Sequence, residues 1–172
     1  MIKNREHIIG SYDITLATSK DEEQVISLLK EVAGWLKANE IDQWGYLAEG
    51  GEDEEIKQAI LNKKTYVVKK GEALVATFTL YETQSEWDQH IWGKLNDGAV
   101  YLHRLALTSK AIGTGLGKKI LYWLESYIRD KGIDTLRLDC VENNIKLNNF
   151  YQDNGYEKVG TNDEHSKFQK IL

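Results

Sequence analysis

Between residues 110 and 119 the chain reads Lys-Ala-Ile-Gly-Thr-Gly-Leu-Gly-Lys-Lys. Three glycines alternate between an apolar strand pattern and an amphipathic helix pattern. Glycine lets the backbone approach a ligand closely, and the free N–H groups that open a helix attract phosphate. Lys110, Lys118 and Lys119 add three cations with no acid beside them, in a chain of formal net charge −5. These types at this spacing point to a polyanion site; a tight turn that needs glycine for shape alone is the plainer alternative. Two phosphate loops are excluded. A nucleotide P-loop needs G-x-x-x-x-G-K and then Ser or Thr, whereas Lys119 follows Gly117-Lys118 and Ile112 holds the first glycine position. The dinucleotide pattern G-x-G-x-x-G needs glycine where Lys118 stands.

Other side chains suit proton transfer. His103 lies in an alternating strand pattern, and an imidazole, with an unperturbed pKa of ~6.5, is the side-chain type suited to a base near neutrality; a packed strand histidine is the alternative. Tyr101 shares its face by strand alternation, and Arg104 takes the opposite one. Tyr151, beside Phe150, reads from spacing as a core aromatic. Cys140 continues the apolar face of Leu136 and Leu138 and reads as core. No His, Cys, Asp or Glu group has metal-ligand spacing, so no metal is expected. Trp35, Trp44, Tyr46 and Trp87 offer aromatic faces that attract cations or stack on flat groups. The nearby acids Glu49, Glu52, Asp53, Glu54 and Glu55 suit either a helix start or the attraction of an amine.

Residues 105–117 resemble the acetyl-CoA loop of the GNAT N-acetyltransferase superfamily. Its signature is Arg or Gln, two residues, Gly, one residue, then Gly or Ala. Lys110-x-x-Gly113-x-Gly115 places Lys in the Arg/Gln position, and Ile112-x-x-Gly115-x-Gly117 places Ile there. A second stretch, Asn144 to Tyr156, is similar to the family's later motif: Asn144, then Leu147 for the usual Ala, then Tyr151, then Gly155-Tyr156. A helix and a strand separate the two, as in the family, and the resemblance covers 99–160.

The resemblance implies acetyl-CoA as cosubstrate and transfer of its acetyl group to a primary amine of a small molecule or peptide, directly in a ternary complex. Backbone groups of Leu105, Ala106 and Leu107 would hold the pantetheine arm and acetyl carbonyl. Ile112, Gly113, Thr114, Gly115, Leu116, Gly117 and Lys118 would take the pyrophosphate. Asn144 and Asn148, one turn apart, would bond the pantetheine or order their loop; as plain helix residues they are equally caps. Tyr151 would protonate the departing thiolate and His103 would be the base. Trp35, Trp44, Tyr46 and Trp87 would line the acceptor site. A weakly catalytic or non-catalytic acyl-CoA-binding sensor is the alternative.

These residues need a scaffold of strands and helices. Helical spacing predicts helices over 20–38, 53–61, 115–131 and 143–154, and alternation predicts strands over 12–18, 65–69, 72–81, 99–108, 134–141, 156–160 and 165–171. The first is expected at an edge, and 85–96 is ambiguous. Together they predict an α/β fold with a mixed sheet of six to seven strands and helices on both faces, and the resemblance implies that the sheet is GNAT-like and splayed in the middle. With 172 residues, one acetyltransferase domain over 1–172 is expected. Hydrophobic residues at 41% and charged ones at 28% are ordinary for a globular protein and exclude disorder. The acidic balance argues against a nucleic-acid partner. The absence of a long apolar run argues against a membrane partner or a signal peptide. One cysteine allows no intrachain disulfide, which fits the cytoplasm. A monomer or homodimer is expected.

Overall fold

The computed structural model describes residues 7–39, 41 and 52–172. The chain forms two compact units. One takes in Met1–Thr79 and Arg104–Ile120, the other Leu80–His103 and Leu121–Leu172.

The first unit is built on antiparallel pairing. Strand β1 (His7–Ile9) pairs with β2 (Tyr12–Leu16), β2 with β3 (Thr65–Lys70), and β3 with β4 (Ala73–Tyr81). The strand over 12–18 is therefore not at the edge. β1 covers its outer side, and its three residues carry too short an alternation to be read from sequence. Thr18 and Asp21 close a capping box on a single 3-10 turn before α1 (Glu22–Ala38). The core of this unit joins Val25, Leu28, Leu29 and Ala33 of α1 to Ile56 and Ile60 of α2 (Asp53–Leu61), Val67 of β3, and Ala106. Their i, i+3, i+4 recurrence turns one face of each helix inward.

The second unit holds a parallel pair followed by an antiparallel run. Strand β5 (Val100–Leu107) leads through α4 (Leu116–Asp130) to β6 (Thr135–Val141). The β5–β6 ladder consists of two parallel pairs, Val100↔Leu136 and Tyr101↔Arg137. β6 in turn pairs along its whole length with β8 (His165–Ile171), and β8 with β7 (Glu157–Asn162). The order here is β5-β6-β8-β7. The described residues thus hold eight strands and five helices, the last helices being α3 (Glu86–Trp92) and α5 (Ile145–Asp153). The ambiguous 85–96 stretch resolves into α3, capped by a second box in which Ser85 and Asp88 satisfy each other's backbone amides. Ile128 completes the buried row of α4 after Leu116, Ile120 and Leu124. Tyr127 stacks on Trp123, with centroids 5.1 Å apart.

Two features shape β5. Arg137, nearly buried, fastens its amino-terminal end. Its guanidinium donates to both carboxylate oxygens of Asp97, at 3.0 and 2.6 Å, and to the Tyr101 hydroxyl at 3.0 Å, while Nε donates to Gln169. Its carbon lies 5.2 Å from the Trp92 ring centroid. Further along, Arg104 takes φ 53°, the left-handed region, which costs a residue with a Cβ about 1 kcal/mol. The guanidinium of Arg104 reaches Glu52 at 2.8 Å and Glu55 at 3.2 Å, across from the start of α2. Strict strand alternation does not run through such a residue.

Arg137→Met is expected to cost about 2 kcal/mol of stability, read from chemical denaturation. This is below the 3–5 kcal/mol of a fully buried broken pair, because Asp97 is half exposed and can rehydrate.

Candidate active site

The glycine loop leaves β5 through Thr108, whose amide bonds the Val75 carbonyl at 2.9 Å. A run of turns follows. Ala111 and Ile112 amides return to the Thr108 carbonyl, and Thr114 to that of Ala111. Gly113 and Gly115 have φ of 81° and 85°, with nothing within 4 Å of where a Cβ would stand. Conformation, not crowding, demands glycine at both, and the space beside them is open. Among the described residues the amides of Gly113, Gly115, Gly117 and Lys118 donate to no acceptor; the ladder of α4 begins with Lys119 to Gly115. Exposed Lys110, Lys118 and Lys119 surround them. Unpaired donors, the positive helix end and three cations form a cradle for phosphate oxygens. The residues present therefore fit the pyrophosphate of CoA. Missing Arg or Gln in the signature removes no backbone donor.

In the second unit, side chains from α3, β5, β6, β8 and α5 gather around Asp139. Its carboxylate accepts the Trp87 indole N–H at 3.0 and 3.2 Å. Burial lifts the Asp139 carboxyl above its ordinary range and outweighs the Trp87 bond and the attraction of His103 and His165; Asp88 adds to the rise. His103 Nε2 lies 2.9 and 3.1 Å from the two oxygens of buried Asp88. Tyr81 presents an edge to its ring with centroids 5.2 Å apart. Trp87 packs on His165 at 4.9 Å and His90 at 5.5 Å, and His90 faces Asp163 at 3.0 Å. Tyr151 is buried between Phe150, Tyr156 and Phe168. Burial first, then the nearby Cys140 and Asp139, drive its hydroxyl far above the ordinary phenol value. Burial and Asp139 raise the Cys140 thiol to about 12.

Several expected site residues are thereby placed. Tyr151 and His103 belong to one unit and share Asp139 as an electrostatic neighbour. Trp87 joins them, while Trp35 stands exposed on α1 in the other unit. Trp44 and Tyr46 lie outside the described residues. Asn144 caps α5 by accepting the Leu147 amide, and the Asn148 amide group donates to the carbonyls of Val141 and Asn144. Asn144 thus makes the helix cap, and Asn148 ties down the turn that precedes α5. Sequence reasoning missed Asp88 and Asp139. Asp88 is hidden in a capping pattern, S-x-x-D, that reads as a helix start; Asp139 interrupts an apolar strand between Leu138 and Cys140, which was a usable signal.

A family model described as Acetyltransferase (GNAT) family matches residues 35–156. Over 158 residues the chain is 37% identical to the uncharacterized N-acetyltransferase YesJ of Bacillus subtilis (strain 168), covering 90% of this chain and 87% of that protein. A GNAT family acetyltransferase structure from Listeria monocytogenes 4b F2365 superposes with a TM-score of 0.82 at 27% identity, covering 97% and 99% of the two chains. PaiA N-acetyltransferase from Thermoplasma acidophilum, solved in complex with coenzyme A, gives a TM-score of 0.71 at 21% identity over 94% and 99%. At that identity the likeness is one of fold.

Two outcomes follow from this geometry. Gly115→Asp should weaken CoA binding at least tenfold by calorimetry, and Gly115→Asn clearly less, since both fill the same space but only Asp repels phosphate. Asp139 has a folded pKa above the ordinary carboxylate value, so the folded state holds the extra proton and stability falls as pH rises from about 4 through the folded value. Asp139→Asn should remove that decline and leave the protein no less stable at pH 7, measured by denaturation across pH.

Proposed function

The chain belongs to the GNAT acetyltransferase family, and from that premise we propose that it moves an acetyl group from acetyl-CoA to a primary amine of a small molecule or peptide, by direct transfer in a ternary complex. The observation that carries this reading is the loop of free amides at Gly113, Gly115, Gly117 and Lys118, opening α4 directly after β5. It takes the pyrophosphate, with Ile112, Thr114 and Leu116 as the remaining members of the turn. Backbone groups of Leu105, Ala106 and Leu107 hold the pantetheine arm and the carbonyl of the thioester. We read the two units as one catalytic domain, because β4, β5 and α4 each run from one into the other.

Acetyl-CoA brings the activated carbonyl; the residues handle protons. An amine must be neutral to attack, so a base must take its proton. His103 fills that role on β5. The leaving sulfur gains charge and needs a donor. Tyr151 remains protonated through the neutral range because its burial disfavours phenolate. It therefore presents a hydroxyl that donates a hydrogen bond to the departing sulfur as charge grows there. Cys140 stays a thiol at neutral pH, which supports direct transfer over an acyl-cysteine intermediate. Trp87, and by expectation Trp35, Trp44 and Tyr46, offer aromatic faces to a cationic acceptor. Among the described residues no helix is long and apolar enough to cross a membrane.

Release of free thiol on mixing the protein with acetyl-CoA and a panel of polyamines, amino acids, aminoglycosides and peptides tests the proposal. Thiol release with at least one amine is expected; CoA binding without release across the panel marks a sensor module instead. With an active acceptor, Tyr151→Phe should lower kcat on the order of 100-fold and leave acetyl-CoA affinity nearly unchanged. A variant turning over at the parent rate in chemistry-limited conditions makes Tyr151 a packing residue.

A further inference from the structure

We infer that Asp88 is a positioning residue that locks His103 in one tautomer and makes Nδ1 the nitrogen that accepts the proton of the acceptor amine. The inference rests on the reading of His103 as base and adds which atom acts and what holds it.

Asp88 is 1% exposed and sits at the third position of α3. Its Oδ2 accepts the Ser85 amide at 3.0 Å and the Ser85 hydroxyl at 3.0 Å. With the Asp88 amide donating to the Ser85 hydroxyl oxygen at 3.2 Å the capping box is complete, yet the same carboxylate also faces His103 Nε2, at 2.9 Å from Oδ1 and 3.1 Å from Oδ2. An ionised carboxylate only accepts hydrogen bonds, so Nε2 must carry the hydrogen. In a neutral imidazole the lone pair then lies on Nδ1. Among the described residues Nδ1 has no hydrogen-bond partner, and the Tyr81 ring fixes the imidazole plane from the side. The groups that face His103 beyond Asp88 are Asp139 on β6, which feels its charge, and Tyr81 on β4.

The step balances as follows. The amine nitrogen bonds to the acetyl carbon while its N–H bond breaks and the proton passes to Nδ1. The carbonyl re-forms as the carbon–sulfur bond breaks, and the thiolate takes a proton from Tyr151 or solvent. The imidazolium, held against Asp88 through Nε2–H, returns its proton to water. The Asp88 carboxylate accepts from Nε2–H throughout, orienting the ring and stabilising the cation, as an aspartate does in a serine-hydrolase triad.

Nitrogen-15 NMR of the histidine-labelled protein at neutral pH reads the tautomer without any substrate, with the signal assigned by its loss in His103→Gln. Protonated Nε2 and unprotonated Nδ1 are expected; the opposite tautomer overturns the inference. With an amine that releases thiol, Asp88→Asn should lower kcat at least tenfold, mix the tautomers and leave the KM for acetyl-CoA unchanged. Ser85→Ala, which weakens the same cap without removing the carboxylate, should lower the melting temperature yet keep the tautomer. If Asp88→Asn fails to fold, the tautomer of the parent and of Ser85→Ala decides. Unchanged rate and tautomer in Asp88→Asn refute the positioning role alone. Unchanged turnover in His103→Gln refutes the base itself.

Discussion

A buried guanidinium controls where β5 and β6 pair. Arg137 ties the turn at Asp97, the hydroxyl of Tyr101 and the β8 side chain of Gln169 into one network, and lies over the ring of Trp92. Burial alone would make it easier to deprotonate; the bonds to Asp97 and Tyr101 outweigh that and hold its pKa above the ordinary value, while Asp97 is held below its own. The two register pairs between the strands fall where this network stands. β6 also pairs with β8 along its whole length, from Thr135 to Val141.

Each unit then offers a different chemistry. The first offers unpaired backbone amides, lysines and a helix start, all suited to multiple negative charge. A cradle of backbone amides depends on no tuned side chain, so Lys110 or Ile112 in the Arg/Gln place of the family signature removes none of these donors. The second offers titratable groups packed among aromatic rings. There the protein places two acids, Asp88 and Asp139, near His103 and gives them unequal environments. Asp88 is embedded in a hydrogen-bonded cap, whereas Asp139 has the indole N–H of Trp87 against a strong cost of desolvation.

That cost makes the second unit a place where stability and chemistry oppose each other. A carboxyl lifted by burial and a tyrosine hydroxyl in an aromatic core are both unfavourable to ionise. The surrounding strands, paired along β6, β8 and β7, supply the rigidity that keeps such groups in place. Tyr156 shows the purely structural version of the same device: its hydroxyl donates to buried Glu125 at 2.7 Å, and Lys170 completes the cluster at 2.9 Å. Every polar atom there finds a partner, so the group holds together the crossover helix and the last strand.

Residue order alone determined the elements with strong periodicity. The α4 stripe, the alternating strands and the glycine run followed by lysines are local patterns, and each carries its physical cause in neighbouring residues. The later motif from Asn144 to Tyr156 was legible for the same reason, as was Cys140 as a core residue. Trp44 and Tyr46, read as acceptor-site residues, fall outside the described residues. What only the tertiary structure decided depends on distance in sequence. The partner of His103 is fifteen residues away in a helix whose cap disguises it. The environment of Asp139 comes from Trp87, fifty-two residues earlier. The left-handed turn at Arg104 cannot be read from an arginine, since its cost is borne by contacts to Glu52 and Glu55 on a distant helix. Periodicity records which face is buried; it holds no record of which polar groups meet there, because hydrogen bonds between remote residues depend on the packed arrangement of elements and leave no repeat in the chain.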